Sequence, residues 1–170
     1  MLRLEAEAET YLEAIPAAEF AAAQGEKWSP ADQVRHVTQS TSPLVPALGL
    51  PKFLLALRFG RKAGESRSFV TMRDFYRQTL RDTGATAGRF TPSSRPQPAD
   101  LAAWQSEVLG AWRAAVAGIA ARIPRWSESQ LDRYLLPHPV LGKLTVREML
   151  FFTVYHYAHH LDQVASRRAS

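Results

Sequence analysis

The sequence contains no cysteine among its 170 residues. Disulfides, thiolate metal ligands and a cysteine nucleophile are therefore excluded, and any metal ion must be held by nitrogen or oxygen atoms. No apolar run reaches the ~18 residues that a membrane span requires, and residues 1–9 alternate apolar and acidic side chains instead of forming a signal peptide. We expect a cytosolic protein that does not enter a membrane.

Acidic residues are in the minority, with 16 Asp and Glu against 21 Lys and Arg, which gives a formal net charge of +5. A basic balance raises the question of nucleic-acid binding. The basic residues form only a loose cluster at 58–67 and a pair at Arg167 and Arg168, without interleaved aromatic side chains or a recognised binding motif. We therefore expect no nucleic-acid partner.

The composition is that of a folded globular chain, with 46% hydrophobic and 22% charged residues. A chain of this length fits one domain, so we expect a single domain over residues 1–170. Several stretches carry apolar residues at helical spacing, and none alternates convincingly as a strand. The sequence thus predicts an all-α fold.

Two helices are predicted in the N-terminal third. The first covers residues 4–15 and stops near a proline. The second begins at Ser29, where Pro30 suits the first turn and Asp32 can complete a capping box with the serine. Its apolar row continues to residue 48, although two prolines are expected to bend it.

Two further long helices are predicted in the C-terminal half. Apolar residues keep helical spacing from Leu101 to Ile123, where a proline follows. The last helix begins at Thr145, with Glu148 three residues later as its capping-box partner, and runs towards Arg167. Shorter helices are predicted at 72–83 and around 127–133, and residues 53–57 form a short apolar run followed by a loop. The segment 136–144 is too rich in proline and glycine for helix, and 91–98 is expected to be a stiff surface connection.

Three histidines lie close together on the last predicted helix, at positions 156, 159 and 160. Residues three or four apart share one side of a helix, so His156 with His160 or His156 with His159 has the spacing of metal ligands. His160 borders the apolar row through Tyr157 and Val164, whereas His159 lies on a more polar edge. We therefore assign His156 and His160 as the ligand pair.

A histidine pair at this spacing also occurs by chance, so a metal site needs a third ligand. The remaining histidines are His36 and His138. His36 lies two turns into the second helix, beside Gln33 and Ser40 and outside the apolar row, and taken alone it is predicted to be a surface residue. His138 lies between two prolines and is interpreted as a turn residue.

Three segments resemble the DinB/YfiT-like superfamily, in order and at about the usual separations. They are WSPADQVRHV at 28–37, HPVLGKLT at 138–145 and HYAHHLDQ at 156–163. The resemblance covers nearly the whole chain and implies a four-helix bundle of the DinB/YfiT-like type with short accessory helices. It also implies one divalent ion, bound by the histidine near the end of the first segment and by the H-x-x-x-H pair, and hence by His36, His156 and His160.

Three imidazoles leave at least one coordination position open, as in catalytic metal sites. We expect zinc or nickel first, with iron and manganese as alternatives, because all four accept imidazole. Known members of the superfamily include hydrolases and transferases that act with low-molecular-weight thiols, so the resemblance implies a metal-dependent transferase or hydrolase of small thiol or amide substrates. The alternative is a non-catalytic, metal-stabilised stress-response or assembly protein, which the lack of a carboxylate near the histidine pair favours.

Two predictions concern residues around this site and the surface. Gln163 lies one turn beyond the histidines and is expected to orient a ligand or bound water, with a solvated helix residue as the alternative interpretation. Residues 53–57, together with Phe151, Phe152 and Tyr155, carry more apolar surface than one small bundle is expected to bury. Such surfaces usually mark interfaces, so we expect a homodimer.

Overall fold

A computed structural model describes residues 2–25, 27–93 and 98–168, with side chains described from residue 6 to residue 167. The helices are α1 (Leu2–Glu13), α2 (Ala17–Ala21), α3 (Pro30–Thr41), α4 (Leu44–Gly49), α5 (Lys52–Phe59), α6 (Phe69–Thr83), α7 (Leu101–Ala120), α8 (Glu128–Arg133) and α9 (Val146–Arg168), and the strands are β1 (Leu135–His138) and β2 (Gly142–Thr145). The predicted helical fold is confirmed. Residues 94–97 of the expected surface connection lie outside the described residues.

The capping signals in the sequence define the starts of two helices that matter for function. At the start of α3, the Ser29 hydroxyl oxygen accepts from the Asp32 N–H at 3.0 Å, and the Asp32 carboxylate accepts from the Ser29 N–H at 3.3 Å. At the start of α9, Thr145 and Glu148 exchange the same pair of bonds at 2.9 and 3.1 Å. Both predicted capping boxes are confirmed, because each depends only on residues three positions apart.

The bundle is built from α3, α6, α7 and α9. Helix α3 packs against both α7 and α9, and α9 also packs against α6, while α1 lies against α7. The buried apolar side chains form two clusters, one containing Tyr157 and Val164 of α9 and the other containing Met149 and Phe152 of the same helix. The middle of α9 therefore lies where the two clusters meet, and residues 156 and 160 are in this stretch.

The second predicted helix is interrupted at its prolines. Helix α3 ends at Thr41 and α4 begins at Leu44, with Pro43 between them, because proline has no N–H to continue the helical ladder. No single described helix is long and apolar enough to cross a membrane. One bent pair of segments, Pro30–Gly49 and Lys52–Phe59 at 119° to each other, is together long and apolar enough, by length and composition alone.

The sequence predicted no strands, and this prediction was wrong at 136–144, where the structure has a hairpin. Strand β1 pairs antiparallel with β2, from Leu135 opposite Thr145 to His138 opposite Gly142. The ring nitrogen Nδ1 of His138 accepts main-chain N–H bonds from residues 140 and 141, at 3.2 and 3.0 Å, and so closes the turn. Helix α7 also ends at Ala120, before the predicted Ile123.

Glu148 is a carboxylate buried at the start of α9, with only 2% of its side chain exposed. It accepts hydrogen bonds from the main-chain N–H groups of Thr145 and Arg67, at 2.9 and 3.0 Å, and from the Arg67 guanidinium at 3.1 Å. Burial favours the neutral acid, but these hydrogen bonds and the positive charges of Arg67 and Lys62 outweigh it, and the pKa of the carboxyl lies below its usual value. The Glu148 carboxylate thus attaches residues 62–67 to the first turn of α9.

Replacing Glu148 by Gln should lower the free energy of unfolding at pH 7 by about 2–4 kcal/mol, because a buried amide NH2 would face main-chain donors. The pKa is depressed in the folded state, so this contribution is present above the unfolded pKa and is lost as the pH falls through the folded value. Urea denaturation measures the change. The matched control is Glu128→Gln, because the Glu128 side chain is 84% exposed beside Arg147. This change should lower the free energy of unfolding by less than about 1 kcal/mol. Equal losses in the two variants would contradict the role assigned to Glu148.

Candidate metal centre

Three histidine side chains from two helices converge inside the bundle. His36 comes from α3, and His156 and His160 come from successive turns of α9. The Nε2 atom of His156 lies 3.1 Å from Nε2 of His36 and 3.0 Å from Nε2 of His160. The three rings are nearly sealed from solvent, with exposures of 5%, 3% and 9%.

The burial of His36 corrects the expectation for that residue taken alone. Its position outside the apolar row of α3 predicted a surface side chain, but α3 is covered on two sides, by α7 and by α9. Gln33 and His36 are consequently buried together with Val34 and Val37. A helix enclosed on two sides buries polar positions that a single apolar row does not mark.

The outer nitrogen of each ring faces a polar group that orients it. Nδ1 of His36 lies 2.9 Å from the main-chain oxygen of Phe90, and Nδ1 of His160 faces the side-chain oxygen of Gln33. Carbonyl oxygens only accept, so each of these Nδ1 atoms carries the proton and each Nε2 keeps a free lone pair. Nδ1 of His156 lies 3.5 Å from the Ser40 hydroxyl oxygen.

Burial keeps the three imidazoles neutral. It places the pKa of His156 well below its usual value, and the neighbouring His160 and His36 lower the pKa further. Burial also lowers the pKa of His160 to about 3, again with a contribution from His36. The pKa of His36 is lowered by burial despite the opposing hydrogen bond to Phe90. A neutral imidazole is the form that coordinates a metal.

This donor set fits a divalent metal ion. Nitrogen atoms bound to one ion at 2.0–2.1 Å are about 3.0–3.4 Å apart, which matches the separations of 3.0 and 3.1 Å. A proton on Nε2 of His156 could be donated to the lone pair of only one neighbour, either Nε2 of His36 or Nε2 of His160. A cation between the rings would compensate all three lone pairs at once. Among the described residues this is the one group of His, Asp or Glu side chains with such proximity.

The histidines form part of the wall of a cavity of about 760 Å³. Most of its lining is apolar, with contributions from Leu44, Leu50, Phe59, Leu80, Met149 and Phe152. The polar groups include Ser40, Tyr76 and His138, and Arg89 is the one Lys or Arg among the described lining residues. No described Asp or Glu lines it. A cavity of this size and polarity is typical of a small-molecule site.

The other predicted residues lie at the edge of the centre. His159 is partly exposed and does not belong to the cluster; its Nε2 accepts a hydrogen bond from the Gln163 amide at 2.8 Å. Gln163 is exposed and lines the cavity. Its role in orienting a ligand stays a prediction.

Two groups that orient the histidines were missed from the sequence. Gln33 lies one turn before His36 on α3. Its place three residues before His36 in a predicted helix could have indicated that the two side chains lie on the same side. The Phe90 carbonyl belongs to the main chain and is 54 residues from His36. A main-chain oxygen carries no residue-type signal, so no sequence pattern could have identified it.

The fold and this centre define a class: a mostly α-helical protein with a three-histidine site of metal-binding type beside an open cavity. A comparison with protein families agrees, because the family model of the DinB superfamily matches residues 2–164. The chain therefore belongs to the DinB superfamily, which confirms the resemblance of its three segments. Comparison with curated proteins gave no match, and neither did comparison with solved structures.

Proposed function

We propose that the chain is a metal-dependent transferase or hydrolase of small thiol or amide substrates, with one divalent ion held by His36, His156 and His160. The observation that carries this proposal is the convergence of three Nε2 atoms at the wall of a cavity of about 760 Å³. Zinc and nickel are the first candidates, and iron and manganese are alternatives.

The arrangement supports a reactive rather than a closed site. Three protein ligands leave a bound ion at least one open position, and the adjoining cavity gives a substrate access to it. When bound, such an ion lowers the pKa of coordinated water or thiol towards neutrality. The side chain of Gln33 and the carbonyl of Phe90 hold the His160 and His36 rings, the apolar wall limits bulk water, and we assign Gln163 to orienting the reactants.

The test is transfer of cysteine or glutathione to 1-chloro-2,4-dinitrobenzene, followed by absorbance, together with hydrolysis of small amides and esters. Metal-loaded protein should accelerate at least one of these reactions, and His156→Ala should remove the activity together with the metal. Gln163→Ala should lower turnover while the bound metal is unchanged. Activity that survives loss of the metal would refute the mechanism.

One observation favours a second function, that of a non-catalytic stress-response or assembly protein stabilised by its metal. No carboxylate lines the described cavity wall, so no Asp or Glu of this wall can act as a general base. In that case fully loaded protein would be inactive on thiols, amides and esters alike. The metal would still raise the stability of the fold.

We also propose that the protein is a homodimer that associates through α5. Phe53, Leu54 and Leu57 share a face of this short helix, with exposures of 70%, 39% and 83%. Phe152 cannot contribute as the sequence suggested, because it is 5% exposed in the core. Residues spaced by three and four positions project together, so the α5 face is a continuous apolar surface of the kind found in interfaces.

Light scattering at tens of micromolar should therefore give twice the chain mass for the wild type. Leu57→Glu should give the mass of one chain, because it places a charge in the middle of an apolar contact. Glu65→Lys, an exposed change outside α5, is the control and should remain dimeric. A wild type of single-chain mass would contradict the proposal.

A further inference from the structure

His138 closes the turn of the hairpin and also lines the cavity beside the histidine cluster. Its Nδ1 accepts two main-chain N–H bonds, from Val140 at 3.2 Å and from Leu141 at 3.0 Å. An atom that accepts two hydrogen bonds carries no proton, so the neutral ring must carry its proton on Nε2. The hairpin therefore fixes the tautomer of this histidine.

The ring of His138 is also held in place by packing. It meets the ring of Phe152 edge-on, with centroids 4.4 Å apart, and Phe152 in turn stacks on His156 at 5.0 Å. Burial lowers the pKa of His138 to about 4, so it is neutral at physiological pH. The described residues offer no hydrogen-bond acceptor to its Nε2, and this atom is not sealed from solvent. Nε2–H is thus an oriented donor without a protein partner.

The rest of the cavity restricts what this donor can meet. The lining is mainly apolar and, in its described part, has no carboxylate that could pair with a cationic ligand. A volume of about 760 Å³ falls within the range of roughly 300–1,000 Å³ that suits a drug-sized molecule. An apolar molecule with a hydrogen-bond acceptor would satisfy both the wall and the free donor.

We propose that this cavity binds a predominantly apolar molecule carrying a carbonyl or carboxylate oxygen, and that His138 fixes this oxygen through its Nε2–H. The inference rests on the proposed function in treating this molecule as the substrate, and it names the substrate's class. His138 is here a specificity-determining residue: it selects acceptors over donors at a set place beside the three histidines.

The test uses two probes of equal chain length, heptan-2-one with an acceptor and heptylammonium with donors only. Titrations followed by NMR are run on metal-free and on metal-loaded protein. Heptan-2-one should bind both forms, with heptylammonium at least tenfold weaker. Glu65→Lys, which changes an exposed side chain outside both the cavity and α5, should leave both affinities unchanged.

The decisive variant is His138→Asn. The Asn side-chain oxygen can replace Nδ1 as acceptor for the turn, but no donor remains at the position of Nε2. The melting temperature should stay close to that of the wild type, while the affinity for heptan-2-one falls about tenfold, the value of one lost hydrogen bond. Unchanged affinity in folded His138→Asn would overturn the proposal.

Imidazole ¹⁵N spectra of the wild type give a second measurement that does not depend on the variant folding. They should show Nε2 protonated and Nδ1 bare for His138, with the Nε2–H signal shifting when heptan-2-one is added. A proton on Nδ1, or equal binding of the two probes, would refute the inference. Because the probes also bind metal-free protein, loss of catalysis with retained binding would refute only the proposed function.

Discussion

His156→Ala and His160→Ala should each reduce the bound metal from about one ion per chain to almost none. Each change removes one of three nitrogens that lie 3.0 and 3.1 Å apart in the core, and the remaining two cannot replace it, because the described residues place no further His, Asp or Glu in the cluster. Elemental analysis of protein purified without an affinity tag measures the loss.

His159→Ala is the matched control, since it removes an imidazole from the same helix. The ring of His159 bonds to Gln163 and is not among the three histidines whose nitrogens converge, so the metal content should remain about one ion per chain. Loss of metal in this variant with retention in His160→Ala would show that the wrong member of the pair had been assigned. Circular dichroism would confirm that each variant is folded.

Lowering the pH below about 6 should release the metal, because metal release is coupled to unfolding and the imidazoles of the unfolded chain take up protons near their unperturbed pKa of ~6.5. Release should be steep, since three histidines take up protons together. A dialysis series from pH 8 to pH 4, with metal measured at each step, follows the loss. Full retention at pH 4 would contradict the coupling of metal release to protonation of the histidines.

The metal-free fold should also lose stability in acid. Burial lowers the pKa of His36, His156 and His160 in the folded state, so below ~6.5 the unfolded chain binds more protons than the folded one. The free energy of unfolding should therefore decrease as the pH falls, by about 1.4 kcal/mol per pH unit for each histidine that titrates only on unfolding. For His160, whose pKa is lowered to about 3, the window runs from the unfolded pKa down to that value.

Urea denaturation of chelator-treated protein at pH 7 and pH 5 measures this slope. Glu148 contributes little to this slope, because a carboxyl group with its usual pKa of ~4.3 is largely ionised at pH 5 even in the unfolded chain, and the pKa of Glu148 is lower still in the folded chain. His160→Gln, with no titrating group at this position, should show a shallower slope than the wild type. Equal stability at the two pH values would refute the assignment, and equal thermal stability with and without metal at pH 7 would show that binding is not coupled to folding.

The helices and one pair of candidate ligands were predictable because their signals are local. The capping boxes of Ser29 with Asp32 and of Thr145 with Glu148 depend on residues three apart, and they mark the starts of α3 and α9. The proximity of positions 156 and 160 follows from the pitch of one helix. The cytosolic location, by contrast, has no such local signal and stays a prediction.

The hairpin and the packing of α5 were harder to predict. Strands β1 and β2 are four residues each, and their prolines and glycine resemble an irregular loop. A two-stranded ribbon has no strong periodic pattern of its own and is stable only when packed against other elements. The α5 run was recognised as apolar and in part exposed, but only its packing decides which side chains are buried: Leu55 is fully buried, whereas Leu57 is 83% exposed.

The sequence by itself determined the helical class, the starts of the main helices and the histidine pair on α9, because each depends on contacts within a few residues. Only the tertiary structure decided that His36 is buried against that pair, that Gln33 and the Phe90 carbonyl orient two of the rings, and that the cluster opens on a cavity. These features join atoms that are 54 to 127 residues apart. Their positions follow from how α3, α9 and the chain around Phe90 pack together, which no local pattern encodes.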